Sequence, residues 1–249
     1  MKRRAKTVLT RFGFEVRRTT DRLDSMAGAF ERSAKRFDIA SVVDVGASDG
    51  AWSALVMRHY PDANYLLVEA QAEPHGPALA RFARAHPNVR YVIAAAGDAE
   101  GTLHFDASDP MSGEASREPT GPNDIVVRMT TVDAEVDRLE LRPPFLLKLD
   151  THGFEVPIFE GAATTLEQTD LLVVEAYNFE LTSGSLRFHE LCTYLEGRGF
   201  RCIDLVDVMH RPSDGVLWQC DLFFARADRS EFAETTYRPV GDSPLERPT

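Results

Sequence analysis

Positive charge is scarce in this sequence. Its 249 residues carry 28 Lys and Arg against 39 Asp and Glu, a net charge of −11, which argues against a general binder of nucleic-acid phosphates. Long apolar runs are missing too. None approaches the roughly 18 residues of a membrane span. Val8 and Leu9 are followed at once by Thr10 and Arg11, so the apolar core of a secretory signal is not there. Cysteine is rare: Cys192, Cys202 and Cys220, an odd number with no C-x-x-C spacing. That excludes a disulfide framework or a zinc ribbon and suits buried thiols in a reducing cytoplasm, the expected location.

What is present is an ordinary globular composition, 43% hydrophobic and 27% charged, enough for one large core. The charge is uneven. Lys2, Arg3, Arg4, Lys6, Arg11, Arg17, Arg18 and Arg22 face only Glu15 and Asp21. Residues 1–38 read as a basic helical extension, either a solvated helix or a weak peripheral contact for anionic lipid. Residues 39–228 read as the main domain. Residues 229–249, with Pro239, Pro244 and Pro248, read as a mobile tail.

Within the main domain the apolar pattern alternates. Ser41–Val45 reads as a buried strand, and Trp52, Leu55, Val56 and His59 share one helix face. Tyr65–Glu69 is a second strand, Leu79, Phe82 and Ala83 mark a helix, and Val89–Ala96 is a third strand. Thr102–Phe105 and Ile125–Thr131 flank a long segment, 106–124, rich in Pro, Gly, Ser and acid, which reads as a lid. A strand at Phe145–Leu149, a helix near Phe154–Leu166, a strand at Leu171–Glu175, a helix near Leu186–Leu195 and strands at Phe200–Val206 and Leu217–Ala225 follow. The turn at Arg211–Gly215 is too short for a crossover helix, so the last two strands must be antiparallel. The expectation is an α/β, Rossmann-like, mostly parallel, doubly wound sheet ending in an antiparallel hairpin.

The stretch VVDVGASDGAW, residues 42–52, admits two chemistries. Gly46 to Gly50 spells G-x-S-x-G, the turn of a hydrolase nucleophile, which would make Ser48 catalytic with partners such as Asp150 and His210. That reading lacks an oxyanion-hole strand upstream. As a nucleotide cradle the stretch explains more. Gly46 permits a sharp turn, Ala47 and Ser48 form the loop, and Gly50 opens a helix. Glu69, 23 residues after Gly46, closes the second strand, where a carboxylate can accept both ribose hydroxyls. A nicotinamide fingerprint wants a third glycine and amides aimed at pyrophosphate. Here Asp44 and Asp49 bracket the loop and would repel a diphosphate, so the better-matched ligand is S-adenosyl-L-methionine, which carries a sulfonium and no phosphate. An NAD(P)-dependent oxidoreductase and a non-catalytic nucleotide-binding domain are the alternatives.

Four blocks together resemble the FkbM family of S-adenosylmethionine-dependent methyltransferases: Val43-Asp-Val-Gly-Ala-Ser-Asp-Gly50, Val68-Glu69, Ala94-Ala-Ala-Gly-Asp98, and Leu147-Lys-Leu-Asp-Thr-His-Gly-Phe-Glu155 with Glu160-Gly161-Ala162. The resemblance covers about 41–228. Ser48 stands where the family's first motif has Asn, and His152 where its later motif has Glu. The resemblance implies a class I methyltransferase fold, O-methylation of a small sugar or natural-product acceptor, and a cofactor site that includes Ala95 and Asp98.

Asp150, His152 and Glu155 follow the fourth parallel strand and Glu175 ends the next, so the crevice beyond the strand ends should gather them. By intrinsic basicity His152 is the natural general base, with Asp150 its rival. In one reading Asp150 and Glu175, with Asn178, hold a divalent cation such as Mg2+. In another, Asp150 and Glu155 are structural, one capping the helix and the other pairing with Lys148.

Overall fold

The central strands are apolar on both faces, and both faces are covered. A computed structural model of the chain describes residues 24–106, 108, 113–119, 121–122 and 124–236. In it β1 (Ser41–Val45) and β8 (Phe145–Leu149) are buried at every residue. They lie side by side and parallel, with Asp44 opposite Lys148 and Val45 opposite Leu149. Strands with helices on both sides need apolar residues throughout rather than in alternation.

The elements run α1 (Met26–Ser33), β1, α2 (Ala51–Val56), β2 (Asn64–Glu69), α3 (Ala72–Ala85), β3 (Val89–Ile93), β4 (Ala95–Ala96), β5 (Gly101–Asp106), β6 (Glu114–Ser116), β7 (Asp124–Thr130) and α4 (Val132–Arg138). Then follow β8, α5 (Glu155–Glu160), α6 (Ala163–Glu167), β9 (Thr169–Tyr177), α7 (Phe188–Glu196), β10 (Phe200–His210) and β11 (Leu217–Arg226). Seven strands make one sheet in the order β10-β11-β9-β8-β1-β2-β3. Only β11 runs against the rest, antiparallel to both β9 and β10. The chain builds outward from β1 through β2 to β3, then returns to the other side of β1 with β8. That reversal opens a crevice at the carboxyl ends of β1 and β8.

Alternation within each strand splits the core in two. Val43, Val45, Leu66, Val68, Leu147 and Leu149 pack with Ile158, Phe159, Leu191 and Leu195 from α5 and α7. Val42, Tyr65, Leu67 and Leu146 pack on the other side with Phe30, Val56 and Leu79 from α1, α2 and α3. Phe30 meets Trp52 and Phe223 edge-on, at 5.5 and 5.3 Å between ring centres. The α1 helix is therefore part of this layer. The basic residues Lys2 to Arg22 lie outside the described residues, as does everything after 236. Residues 229–236 include a single 3-10 turn, Ser230–Phe232, whose Glu231 pairs with Arg36 and Arg229.

Three expectations need correction, and one helix went unread. The run Val89–Ala96 is not one strand. It breaks at Ala94, and Ala95–Ala96 join a second sheet ordered β4-β7-β5-β6, a change of partner that an unbroken apolar pattern conceals. The helix expected from Phe154 to Leu166 is two helices, because Gly161 passes so close to Gly97 that a Cβ there would sit 1.9 Å from the Gly97 carbonyl oxygen. Segment 106–124 contains a short strand, β6, paired antiparallel with β5. Helix α4 follows a Thr131 side chain that accepts from the Ala134 amide, an N-cap unread in the sequence. Among the described residues no helix is long and apolar enough to cross a membrane.

Candidate active site

At the crevice the first loop, the β8–α5 loop and the second sheet enclose a pocket with a cavity volume of about 110 Å3. Gly46, Ser48, Glu69, Ala95, Asp150 and His152 are among its walls.

Gly46 has φ +75°, and a Cβ there would lie 1.9 Å from the Asp150 carbonyl oxygen. The glycine is needed because two strand-end loops of the protein itself cross at this point. Gly50, at φ +86°, faces the Phe82 ring and Leu67 and serves packing behind the pocket. Ala47 is buried in the core layer of α1 to α3. Ser48 keeps a positive φ of 49° and donates its amide to Glu69 Oε2 at 2.8 Å, while the Gln71 amide donates to Glu69 Oε1 at 2.8 Å. Glu69 thus fastens two loops with one oxygen each and retains free lone pairs for a ligand. The Ser48 hydroxyl lies 3.4 Å from His75 Nδ1, and the hydrolase partner His210 sits at the far end of exposed β10.

Asp44 and Asp49 do not supply the pocket's charge. Asp44 has no exposure. It accepts from the Ser53 hydroxyl at 2.7 Å and faces Lys148 Nζ at 3.0 Å. Asp49 accepts from the Ala51 amide on an exposed turn. The carboxylates that do line the pocket are Glu69 and Asp150. Lys148 stands behind them. Its ammonium donates to the Gly46 carbonyl at 2.8 Å and lies 3.3 Å from Asp150 Oδ2. Burial works to discharge it, but Asp44 and Asp150 hold its proton above the ordinary lysine range.

Asp98 ends the chain's passage out of β4. Arg117, from the segment after β6, pairs with its Oδ2. Among the described residues its Oδ1 is buried without a hydrogen-bond partner, an acceptor left open.

The other wall holds the proton-transfer groups. His152 has φ +51° and is followed by Gly153 at φ +105°, so the loop turns its imidazole back over the strand ends. Nε2 lies 3.6 Å from Asp150 Oδ1 and 3.5 Å from Glu175 Oε2. Nδ1 lies 3.3 Å from the Gly113 carbonyl. A carbonyl only accepts, so this contact calls for a hydrogen on Nδ1. Glu175 accepts from the Tyr177 hydroxyl and the Gln219 amide. Burial, then the neighbouring Asp150 charge, push its carboxyl up to about 9. Asp150 is held below the usual carboxylate range, because Lys148 and a hydrogen bond from Glu175 outweigh its burial. One proton therefore sits on Glu175 and one negative charge on Asp150, the division expected of two close acids. Glu155, by contrast, accepts from the Gly153 amide at 2.8 Å and the Thr151 hydroxyl at 3.2 Å and shapes the loop.

Asp150, His152 and Glu175 offer ligand atoms within 4.8 Å of one another. Asn178 does not join them; its amide donates to the Leu217 carbonyl. Lys148 already stands 3.3 Å from Asp150 and would repel a dication placed there, so this donor set fits a shared proton better than Mg2+. Tyr177, Gln219 and the roof residues Phe105, Gly113 and Ala115 went unread in the sequence. Their roles depend on pairings between β9 and β11 and between β5 and β6, which carry no local signal.

A family model described as a methyltransferase FkbM domain matches residues 44–202. Among solved structures, a methyltransferase FkbM from Methylobacillus flagellatus aligns with TM-score 0.50 and 16% identity over 75% of this chain and 44% of that one, so the chain spans less than half of that protein. Precorrin-6y C5,15-methyltransferase from Geobacter metallireducens aligns with TM-score 0.45 and 12% identity over 84% and 93% of the two chains. A Streptococcus pneumoniae protein in complex with S-adenosyl-L-methionine aligns with TM-score 0.46 and 13% identity over 80% and 72%. At such identities the likeness is one of fold: the Rossmann-like, class I methyltransferase fold, with its mostly parallel sheet and antiparallel hairpin. No curated protein matches the sequence.

Proposed function

The chain belongs to the FkbM methyltransferase family, and from that premise we propose that it transfers a methyl group from S-adenosyl-L-methionine to a hydroxyl of a small sugar or glycosylated metabolite. The observation that carries the reading is the two-sided pocket. Glu69 with Ala94, Ala95 and Ala96 stands on the cofactor side, and Asp150 with His152 on the other; Asp98, with its unpartnered Oδ1, follows two residues after Ala96. The residues fit that cofactor. Glu69 has lone pairs left for ribose hydroxyls, and Asp98 Oδ1 suits an adenine amine. The small side chains of Ala94, Ala95 and Ala96 leave room for a flat base, and the Asp150 carboxylate favours a cation.

When bound, the cofactor supplies a sulfonium methyl group to an oxygen nucleophile by in-line displacement. The protein's part is to hold the acceptor hydroxyl in line and to take its proton. His152 Nε2 accepts the proton, and the ionised Asp150 stabilises the imidazolium that forms. Glu175, neutral, keeps the cluster from carrying two negative charges. Gly113 ties the roof to His152 through Nδ1, so segment 106–124 would close over the acceptor as a lid. With a net charge of −11, the acceptor is a small molecule rather than a nucleic acid.

Transfer of labelled methyl groups into small-molecule extracts, alongside calorimetric titration with S-adenosylhomocysteine and NADH, tests this. The expected result is binding of the first ligand alone and label in hydroxylated small molecules. His152→Ala should lower kcat about a hundredfold or more with unchanged S-adenosylhomocysteine affinity. NADH binding would favour an oxidoreductase, label only in protein or nucleic acid would overturn the substrate class, and full turnover in His152→Ala would remove the base.

A further inference from the structure

The cavity between the two walls is smaller than the ligand proposed for it. It measures about 110 Å3, against roughly 300–1,000 Å3 for pockets that enclose small molecules and cofactors. A nucleoside-sized ligand therefore enters only if one wall gives way. The floor is fixed. Gly46 crosses the Asp150 carbonyl with no space for a Cβ, and the Lys148 ammonium holds both the Gly46 carbonyl and Asp150. The roof, formed by Phe105, Gly113 and Ala115, is held by much less. Strand β6 is three residues long and lies at the edge of the second sheet, paired only with β5. Among the described residues two polar contacts tie it to the site. The Gly113 carbonyl meets His152 Nδ1 at 3.3 Å, and the Arg117 guanidinium, just past β6, pairs with Asp98 Oδ2. That ion pair lies toward solvent, its side chains 56% and 28% exposed.

Resting on the methyltransferase reading, we infer that the Arg117–Asp98 pair is a latch on the cofactor site: S-adenosyl-L-methionine enters and leaves when β6 lifts from the floor, and the pair breaks each time. Asp98 is placed for this role. Its Oδ2 holds the roof while its Oδ1 stays open as an acceptor. A latch is told from a wall by kinetics. A wall residue touches the ligand, so its loss changes affinity. The latch holds the roof down whether or not the site is filled, so its loss speeds entry and exit together and leaves affinity nearly unchanged. Being exposed, it is also weakened by salt.

The test is surface plasmon resonance on the full chain with S-adenosylhomocysteine, at low salt and at about 1 M NaCl. At low salt Arg117→Met should raise the association and dissociation rates alike by about threefold, the scale of an exposed ion pair, with affinity unchanged. Salt should speed exchange in the unaltered chain and leave Arg117→Met unaffected. Gly113→Ala probes the roof at an independent point. Its Cβ would fall 2.3 Å from the Phe105 ring, so the roof must rise, and exchange should again be faster. Rates in Arg117→Met equal to or slower than those of the unaltered chain, a change in affinity that outweighs the change in rates, or no faster exchange in Gly113→Ala would overturn the latch. Failure of the unaltered chain to bind S-adenosylhomocysteine would overturn the methyltransferase reading instead.

Discussion

Lys148 in β8 and Asp150 just past its end form a 3.3 Å ion pair at the floor of the pocket, and the same ammonium reaches Asp44 behind it. One buried cation thus joins the first motif of the sequence to the later one. Removing it takes the cation from the enclosed Asp44, whose carboxyl burial already pushes up, and from Asp150. Loss of one partner from a buried pair costs about 3–5 kcal/mol, so Lys148→Met should lower unfolding stability by that order in denaturant titration. Arg187→Met, which breaks an exposed pair, should stay within about 0.5 kcal/mol. Equal effects would mean that Lys148 does not hold the two loops together.

Glu175 makes stability depend on pH in an unusual direction for an acid. Its folded value, pushed up to about 9 by burial and Asp150, lies above its unfolded one. The folded state therefore binds the extra proton between the two values, and stability falls as pH rises through that window. Glu175→Gln imitates the neutral acid. It should match the parent near pH 5 and exceed it near pH 9 by roughly 5 °C in melting temperature. Parallel melting curves at both pH values would show that Glu175 is ionised in the fold.

Much of this was legible in the sequence, for physical reasons. Strands β1 and β8 are apolar at nearly every position because helices cover both their faces, so their bounds could be read directly. Glu69 was legible because its spacing from Gly46 is fixed by one βαβ unit. Asp44 was located but misassigned: its proximity to the glycine loop is local, whereas its neutralisation by Lys148 depends on β1 and β8 being neighbours. The same holds for Gly46, whose constraint is the Asp150 carbonyl. Strand periodicity made a Lys148–Asp150 pair sterically easy but left open whether Asp150 or Glu155 is the partner. The break at Ala94 and the Tyr177 and Gln219 bonds to Glu175 follow from sheet pairing, which no short window encodes.

Asp98 Oδ1, buried and without a partner, should distinguish bases. If it accepts from an adenine amine, Asp98→Asn should weaken S-adenosylhomocysteine by about tenfold, the scale of a hydrogen bond to a charged group. S-inosylhomocysteine, which offers a carbonyl in place of the amine, should bind the parent poorly and be affected far less by the substitution. Calorimetry on the four combinations gives the coupling. A cycle with no coupling would assign Asp98 to Arg117 and the roof alone.

The last prediction concerns metal. Asp150, His152 and Glu175 converge closely enough for a dication, yet Lys148 already supplies positive charge to Asp150 from the floor of the pocket. A second cation at the cluster would face that ammonium at short range inside a poorly screened site, where like charges cost several kcal/mol. The cluster's own economy is a proton on Glu175 and a negative charge on Asp150, with the His152 ring between them. Methyl transfer should therefore persist within about twofold after exhaustive chelation, a change of only about 0.4 kcal/mol in the barrier, and added Mg2+ should not raise it. Lys148→Met provides the converse test. If enough of that variant folds, the repulsion is gone and Mg2+ affinity at the cluster should rise. Activity abolished by chelation and restored by Mg2+ in the unaltered chain would reverse the assignment and make His152 a ligand rather than the base.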